Sequence, residues 1–171
     1  MKRKNSHFIA QSAMIAALYA ALTYVAAAMN LAYGPIQFRF SEALTVLAAY
    51  TPAAIPGLTI GCILANLANP MIVLVDVIFG SLATLLASIC SYYTRKIRFK
   101  NMPLLSLLFP VLFNAIIVGA EITIFFDKET AFLPFLLNAA WVGLGELVVC
   151  YAGGIPLALA LEKPSLKKLL K

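Results

Sequence analysis

The sequence predicts an all-α integral membrane protein with six transmembrane helices and both termini cytoplasmic, on three observations. Of its 171 residues, 63% are hydrophobic and only 12% charged, against roughly 45–50% and about 25% in soluble domains. The apolar residues gather into stretches of bilayer-crossing length, about 20 residues each. Eleven of the thirteen lysines and arginines fall in three clusters: Lys2–Arg3–Lys4; Arg95, Lys96, Arg98 and Lys100; and Lys163, Lys167, Lys168 and Lys171. Each sits just beyond a long apolar run, as the positive-inside rule requires of cytoplasmic loops. These features exclude a cytosolic enzyme, a disulfide-rich secreted protein and a disordered chain. They leave a single transmembrane domain, residues 1–171, in the lipid bilayer. The net charge of +6 is then a topology signal, and no nucleic-acid partner is expected.

Phe8–Met29 is the first span. Its length exceeds the roughly 7–15-residue apolar core of a signal peptide, so it reads as an uncleaved helix. Ser41–Leu67 is interrupted by Pro52 and Pro56 in TPAAIPG; at ~1.5 Å per residue it is too short for two perpendicular full-length helices and long for one. The charges decide the parity. All three basic clusters belong inside, so an even number of crossings separates each pair. The stretch makes two short spans or none, and two spans hinged at the prolines is the better reading: about Ser41–Tyr50 and about Ile55–Leu67. Met71–Thr94, Pro103–Phe126 and Phe132–Leu161 complete the six. The first loop (Asn30–Phe40), the Ala68–Ile72 region and the Asp127–Ala131 turn then face outward. Gly153–Gly154 with Pro156 predicts a bend or an end to the last helix near the inner face.

Carboxylates within spans are costly and are functional candidates by default. There are four: Glu42, Asp76, Glu121 and Glu146. Direction of travel puts Glu42, Asp76, Glu121 and Asn66 at the outer ends of their helices and Glu146 near the middle of the sixth. Asn138 and Trp141 fall in the outer third of the sixth, and Gln37, Phe38 and Arg39 in the first outer loop. Asn114 and Glu121, seven apart, share a face, and Asn138, Trp141 and Gly145 follow i, i+3, i+7. Acids outnumber cations in this layer, where the bases are Arg39 and Lys128. Such a pocket suits a ligand that is cationic or rich in N–H donors, and flat enough to stack on Trp141. The plainer alternatives are an interfacial belt position for Trp141, interhelical hydrogen bonding for Asn66 and Asn138, and an Arg39–Glu42 pair at the headgroups.

Small residues give a second signal. Ala13, Ala17 and Ala21 repeat every four residues, as do Ala16 and Ala20, and Gly57-x-x-x-Gly61 does so on the third helix. Such stripes allow close backbone approach, either within the fold or against a membrane partner. Cys62, Cys90 and Cys150 lie in apolar runs without metal-ligand or disulfide spacing and read as buried small hydrophobes. His7 has no partner to make it a ligand. No GxxxxGK[ST] is present, so the chain does not hydrolyse ATP by the P-loop mechanism. No HExxH or paired His/Asp cluster points to a membrane hydrolase, and neither a metal nor a cofactor is expected.

FRFSEALTVLAAYTPAAIPGLTIGCILANL, DVIFGSLATLLAS and NAAWVGLGELVVCYAGGIPLALAL closely resemble the QueT family of queuosine-precursor transporters, over nearly the whole chain. The resemblance implies a substrate-binding S component of an energy-coupling-factor (ECF) transporter in the bacterial cell membrane. Its implied partners are one transmembrane coupling protein and two ABC ATPases, docked through an alanine stripe on the first helix. Here that stripe is Ala13, Ala17 and Ala21, or Ala16 and Ala20. The implied ligand is a 7-deazaguanine such as 7-aminomethyl-7-deazaguanine. On that footing Glu121 and Glu146 serve the ring N–H donors and the ammonium in an order left open. Trp141 stacks on the ring, Asn138 and Asn114 meet its edge, and Gln37, Phe38 and Arg39 close the first loop over it. The rival readings are a small secondary transporter or channel for a cationic or purine-like solute, working without ATPase partners, and a membrane enzyme built on paired carboxylates.

Overall fold

The computed structural model describes residues 2–32, 37–67 and 74–163. The Ala68–Ile72 region and Lys167, Lys168 and Lys171 lie outside them. The described elements are α1 (Lys2–Ala28), a ten-residue 3-10 helix (Phe40–Ala49), α2 (Ala54–Leu67), α3 (Leu74–Tyr93), α4 (Leu104–Glu121) running into a π-helical turn (Ile122–Phe126), and α5 (Phe132–Leu161). Four stretches are long and apolar enough to cross a bilayer: Asn5–Ala28, Leu74–Tyr93, Leu104–Phe126 and Phe132–Leu161. Phe40–Ala49 and Ala54–Leu67 are apolar but shorter, each about 20 Å long against a hydrocarbon thickness of ~30 Å.

Contacts fix the direction of each element relative to its neighbours. Ser41 and Glu42 meet Thr23 and Tyr19, while Thr51 meets Gln11, so the 3-10 helix runs antiparallel to α1. Ser12 donates to the Ala53 carbonyl (3.0 Å) and Tyr24 to that of Leu64 (3.1 Å), so α2 returns parallel to α1. Asn66 meets Asp76 across α2 and α3, and Ser91 meets Ser106 across α3 and α4. Tyr151 reaches back from α5 to the Leu104 carbonyl. Successive elements therefore alternate in direction. Arg98 pairs with Glu162 and lies 5.0 Å from the centre of the Tyr50 ring, which brings the 95–100 turn to the end where α5 finishes.

The 3-10 helix is the central strut. It touches all five α-helices, and Ser41, Glu42, Leu44, Thr45, Val46, Leu47, Ala48 and Ala49 are buried. Ten residues is long for this geometry, in which side chains at i and i+3 eclipse. Here the eclipsing stacks Glu42 and Thr45 along one edge, with Arg39 in extended backbone just before the first turn. An α-helix would fan successive members of that series apart by about 60°.

Burial is inverted relative to a soluble protein. Met14, Leu18, Val25, Ile60, Leu82, Leu112, Ile116 and Leu144 face outward, whereas Ser81, Thr84, Ser88, Ser91 and Ser106 are buried. The buried face of α3 is small or hydroxylic throughout, as close helix packing in lipid requires. Glycines permit the tightest approaches. A Cβ on Gly61 would lie 2.7 Å from Tyr19 Cβ and 3.0 Å from the Ala16 carbonyl oxygen. The Gly57-x-x-x-Gly61 stripe is thus an internal seam against α1. It buries Ala16 and Ala20, at 5% and 8% exposure, and leaves Ala13, Ala17 and Ala21 exposed.

The expected bend or end at Gly153–Gly154 and Pro156 needs correcting on one point: α5 continues to Leu161. The two glycines serve packing instead. A Cβ on Gly153 would meet Ala43 Cβ at 2.7 Å, and one on Gly154 would meet Leu107 at 2.7 Å.

Overpacking the α1–α2 seam has a predictable cost. Gly61→Val lowers stability by about 1–3 kcal/mol, read as a lower melting temperature of the detergent-solubilised protein. Ala17→Val, on the exposed face, stays within about 0.5 kcal/mol of the parent; equal losses for the two would contradict this packing.

Candidate functional site

Arg39 precedes the 3-10 helix and is 7% exposed. A buried guanidinium needs acceptors and countercharge. Its Nε donates to the Ala32 carbonyl (3.2 Å), and its charge interacts with Glu42 and Glu146. Glu42, 1% exposed, accepts a hydrogen bond from the Tyr19 hydroxyl. Thr45 Oγ1 donates to the Glu42 carbonyl oxygen at 2.6 Å. Cys150 Sγ lies 3.7 Å from both that oxygen and the Glu146 carboxylate. Four elements thus meet at one charged node: α1, the 3-10 helix with its preceding residue, α5, and α2 through Cys62, which also interacts with Arg39.

A second group of acids adjoins it. Asn66, 1% exposed, donates from Nδ2 to the Asp76 carbonyl (3.1 Å) and toward Cys62 Sγ (3.5 Å). The Asp76 side chain lies within hydrogen-bonding reach of Glu121, which ends α4. Gly80 makes room: a Cβ there would stand 2.9 Å from Asn66 Nδ2 and 4.0 Å from Arg39 Nη1. Among the described residues, four buried polar atoms have no hydrogen-bond partner: Glu42 Oε2, Asn66 Oδ1, Asn114 Nδ2 and Glu121 Oε1. Three of the four belong to these two adjoining groups.

The first loop is held down by backbone. Phe38 N–H donates to the Leu31 carbonyl (2.8 Å). The Gln37 carbonyl presses on Gly145 of α5 so closely that any Cβ there would clash. Gln37 is buried and Phe38 half-buried.

The fold therefore brings together Arg39, Glu42, Asn66, Asp76, Glu121 and Glu146, with Gln37 alongside. Asn114 is buried at 4% exposure, two turns along α4 from Glu121. Two expected members are elsewhere. Asn138 donates to Thr123 Oγ1 (3.0 Å) and to Asp127 Oδ2 (2.7 Å), and so braces the α4–α5 turn. Trp141 is 45% exposed and faces out of the bundle. A three-residue step turns a helix by about 300°, leaving Trp141 about 60° from Asn138; the i, i+3, i+7 pattern did not make one face. Near that turn, a mainly apolar cavity of about 280 Å³ is lined by Ala120, Thr123, Glu129, Phe132 and Phe135 among others, and none of the clustered carboxyls lines it.

Sequence reasoning missed Tyr19 and undervalued two cysteines. Tyr19 is fully buried and is the α1 partner of Glu42; a lone phenol in the middle of an alanine-rich span was the available signal. Cys62 and Cys150 are buried free thiols, and both abut the charged node rather than plain hydrocarbon.

An apolar outer shell around a buried, charged centre defines a multi-pass membrane protein with a functional polar interior. Similarity to known proteins carries this further: the chain belongs to the QueT transporter family, whose profile matches residues 9–163. A queuosine precursor transporter QueT from Lactococcus lactis subsp. cremoris (strain MG1363) is 33% identical over 159 residues, spanning 90% of this chain and 91% of that one. No solved structure matches the chain significantly. It is accordingly a multi-pass protein of the bacterial membrane, and a transporter rather than an enzyme.

Removing the phenol tests the node. Tyr19→Phe leaves a buried Glu42 oxygen without its donor and lowers stability in detergent by about 1–3 kcal/mol. Glu42→Gln, which also takes countercharge from the buried Arg39, costs more, about 3–5 kcal/mol. A Tyr19→Phe variant that unfolds at the parent's temperature refutes the assigned bond.

Proposed function

We propose that this protein is the substrate-binding S component of an ECF-type importer and captures a 7-deazaguanine queuosine precursor from outside. The observation that carries the reading is family membership, joined to a relative named for queuosine-precursor transport. In this reading all six helical elements span the membrane, the 3-10 helix and α2 as a short pair. The basic turn at residues 95–100 and both termini are cytoplasmic. The carboxylates then lie toward the outer side.

The chemistry fits such a ligand. A 7-deazaguanine ring presents N–H donors, and an aminomethyl substituent adds an ammonium. Glu42, Asp76, Glu121 and Glu146 supply acceptors, Asn66 and Asn114 meet the ring edge, and Gln37, Phe38 and Arg39 cover it from the first loop. ATP-driven movement belongs to the partner module, consistent with the absence of a P-loop in the sequence. That module, one coupling protein with two ABC ATPases, docks on the exposed Ala13, Ala17 and Ala21 face of α1. Ala16 and Ala20, buried against α2, are withdrawn from that role.

Calorimetric titration of the purified protein, without ATP, tests the substrate. We expect binding of 7-aminomethyl-7-deazaguanine to be tight, and guanine to bind much more weakly. Glu121→Gln and Glu146→Gln, made singly, each weaken the first compound; unchanged affinity in both removes these carboxyls from the site. Uptake into cells tests the class. It stops when the ATPases are deleted, whereas persisting uptake marks a secondary transporter. Ala17→Leu leaves ligand binding intact and abolishes co-purification with the module; retention of the module places docking on another face.

A further inference from the structure

The four clustered carboxyls are not equivalent: Glu42, Glu121 and Glu146 are buried and Asp76 is half-buried. Arg39 interacts with Glu42 and Glu146, and Tyr19 donates to Glu42, so that half of the site carries its own countercharge and donors. Asp76 and Glu121 adjoin each other instead. Around Asp76 the acceptors are in excess. Glu121 Oε1 and Asn66 Oδ1 are both buried without a hydrogen-bond partner, at 2% and 1% exposure of their residues. Asn66 is held there by its own Nδ2, which donates to the Asp76 carbonyl.

A primary ammonium is a compact cation with three N–H donors and no acceptor. Three acceptor groups lie along this junction of α2, α3 and α4: Asn66 Oδ1, the Asp76 carboxyl and Glu121 Oε1. We propose that Asp76, Glu121 and Asn66 form an ammonium-selective subsite, separate from the Arg39-compensated pair Glu42 and Glu146, and that this subsite makes the protein discriminate between otherwise alike ligands that differ in a primary amine. The inference rests on the substrate reading above and deepens it. A neutral nitrile in the same place would bring only an acceptor to a group of acceptors.

The test compares titrations of 7-aminomethyl-7-deazaguanine and its 7-cyano analogue against the parent protein, Asp76→Asn, Glu121→Gln and Glu146→Gln. The parent binds the aminomethyl compound more tightly. Asp76→Asn and Glu121→Gln each weaken it by about 10- to 100-fold, the range for a hydrogen bond to a charged group. They weaken the cyano analogue less, so the preference collapses; residual cyano binding also shows that the variants are folded. Glu146→Gln weakens both ligands in similar proportion and keeps the preference. Unchanged preference in Asp76→Asn and Glu121→Gln overturns the subsite, as does a parent that favours the cyano compound, while in both cases the substrate reading stands. A parent that binds neither compound overturns both.

Discussion

The structure is organised around the burial of Arg39 among carboxyls inside an apolar shell. Ionisable side chains at the bilayer centre cost about 2.5–3.5 kcal/mol each on insertion scales. Arg39 with Glu42, Asp76, Glu121 and Glu146, left uncompensated, would cost on the order of 10 kcal/mol, as much as the whole stability of a typical domain. Arg39, Glu42 and Glu146 persist by compensating one another, and that requirement dictates where the helices go. The 3-10 helix stacks Glu42 and Thr45 on one edge, with Arg39 just before its first turn. α1 must pass close enough for Tyr19 to donate to Glu42, and α5 close enough for Glu146 and Cys150 to complete the node.

Close passage is where the small residues enter. Lipid gives no hydrophobic drive for helices to associate, so contact area and polar bonds must supply it. Gly57 and Gly61 let α2 ride on α1, Gly80 leaves space beside Asn66 and Arg39, Gly145 admits the Gln37 backbone, and Gly153 and Gly154 admit Ala43 and Leu107. Polar node and glycine seams are therefore one design. The first holds only if side chains reach across short gaps, and the second makes the gaps short. The same seam divides the alanines of α1 into an inner set spent on the fold and an outer set still exposed.

Much of this was legible in the sequence because lipid imposes a coarse code. Apolar run length gave the long helices, and the prolines divided Ser41–Leu67 into two short elements. The cost of charge in a span singled out Glu42, Asp76, Glu121 and Glu146, and the fold gathers all four. What escaped had no such code. Ten apolar residues read alike as α or 3-10, so the stacking of Glu42 and Thr45 was invisible, and Arg39 passed for a loop residue rather than the hub. Tyr19 carries no charge and hid among alanines. Trp141 and Asn138 were joined by a spacing that fans around a helix more than it aligns. The cysteines were read by burial, and burial alone does not say what they touch.

The position of the charged node also constrains how anything bound there leaves. Toward the end where Arg98 pairs with Glu162, the strut is walled in. Val46, Leu107 and Ala158 are fully buried, with Tyr50, Met102 and Leu157 packed on them. Leu44, Leu47, Ala48 and Leu58 form a second apolar block with Ile15 and Tyr19 of α1. A polar solute moving that way would have to part both clusters. Opening voids in packed apolar cores costs several kcal/mol for a single large side chain, and several such chains lie on the route. Movement of the bundle as a body in the membrane avoids that cost, because the contacts that hold the node stay intact while its lipid-facing surface changes neighbours. On the proposed import reading, that favours movement of the whole bundle over a gate that opens through its centre.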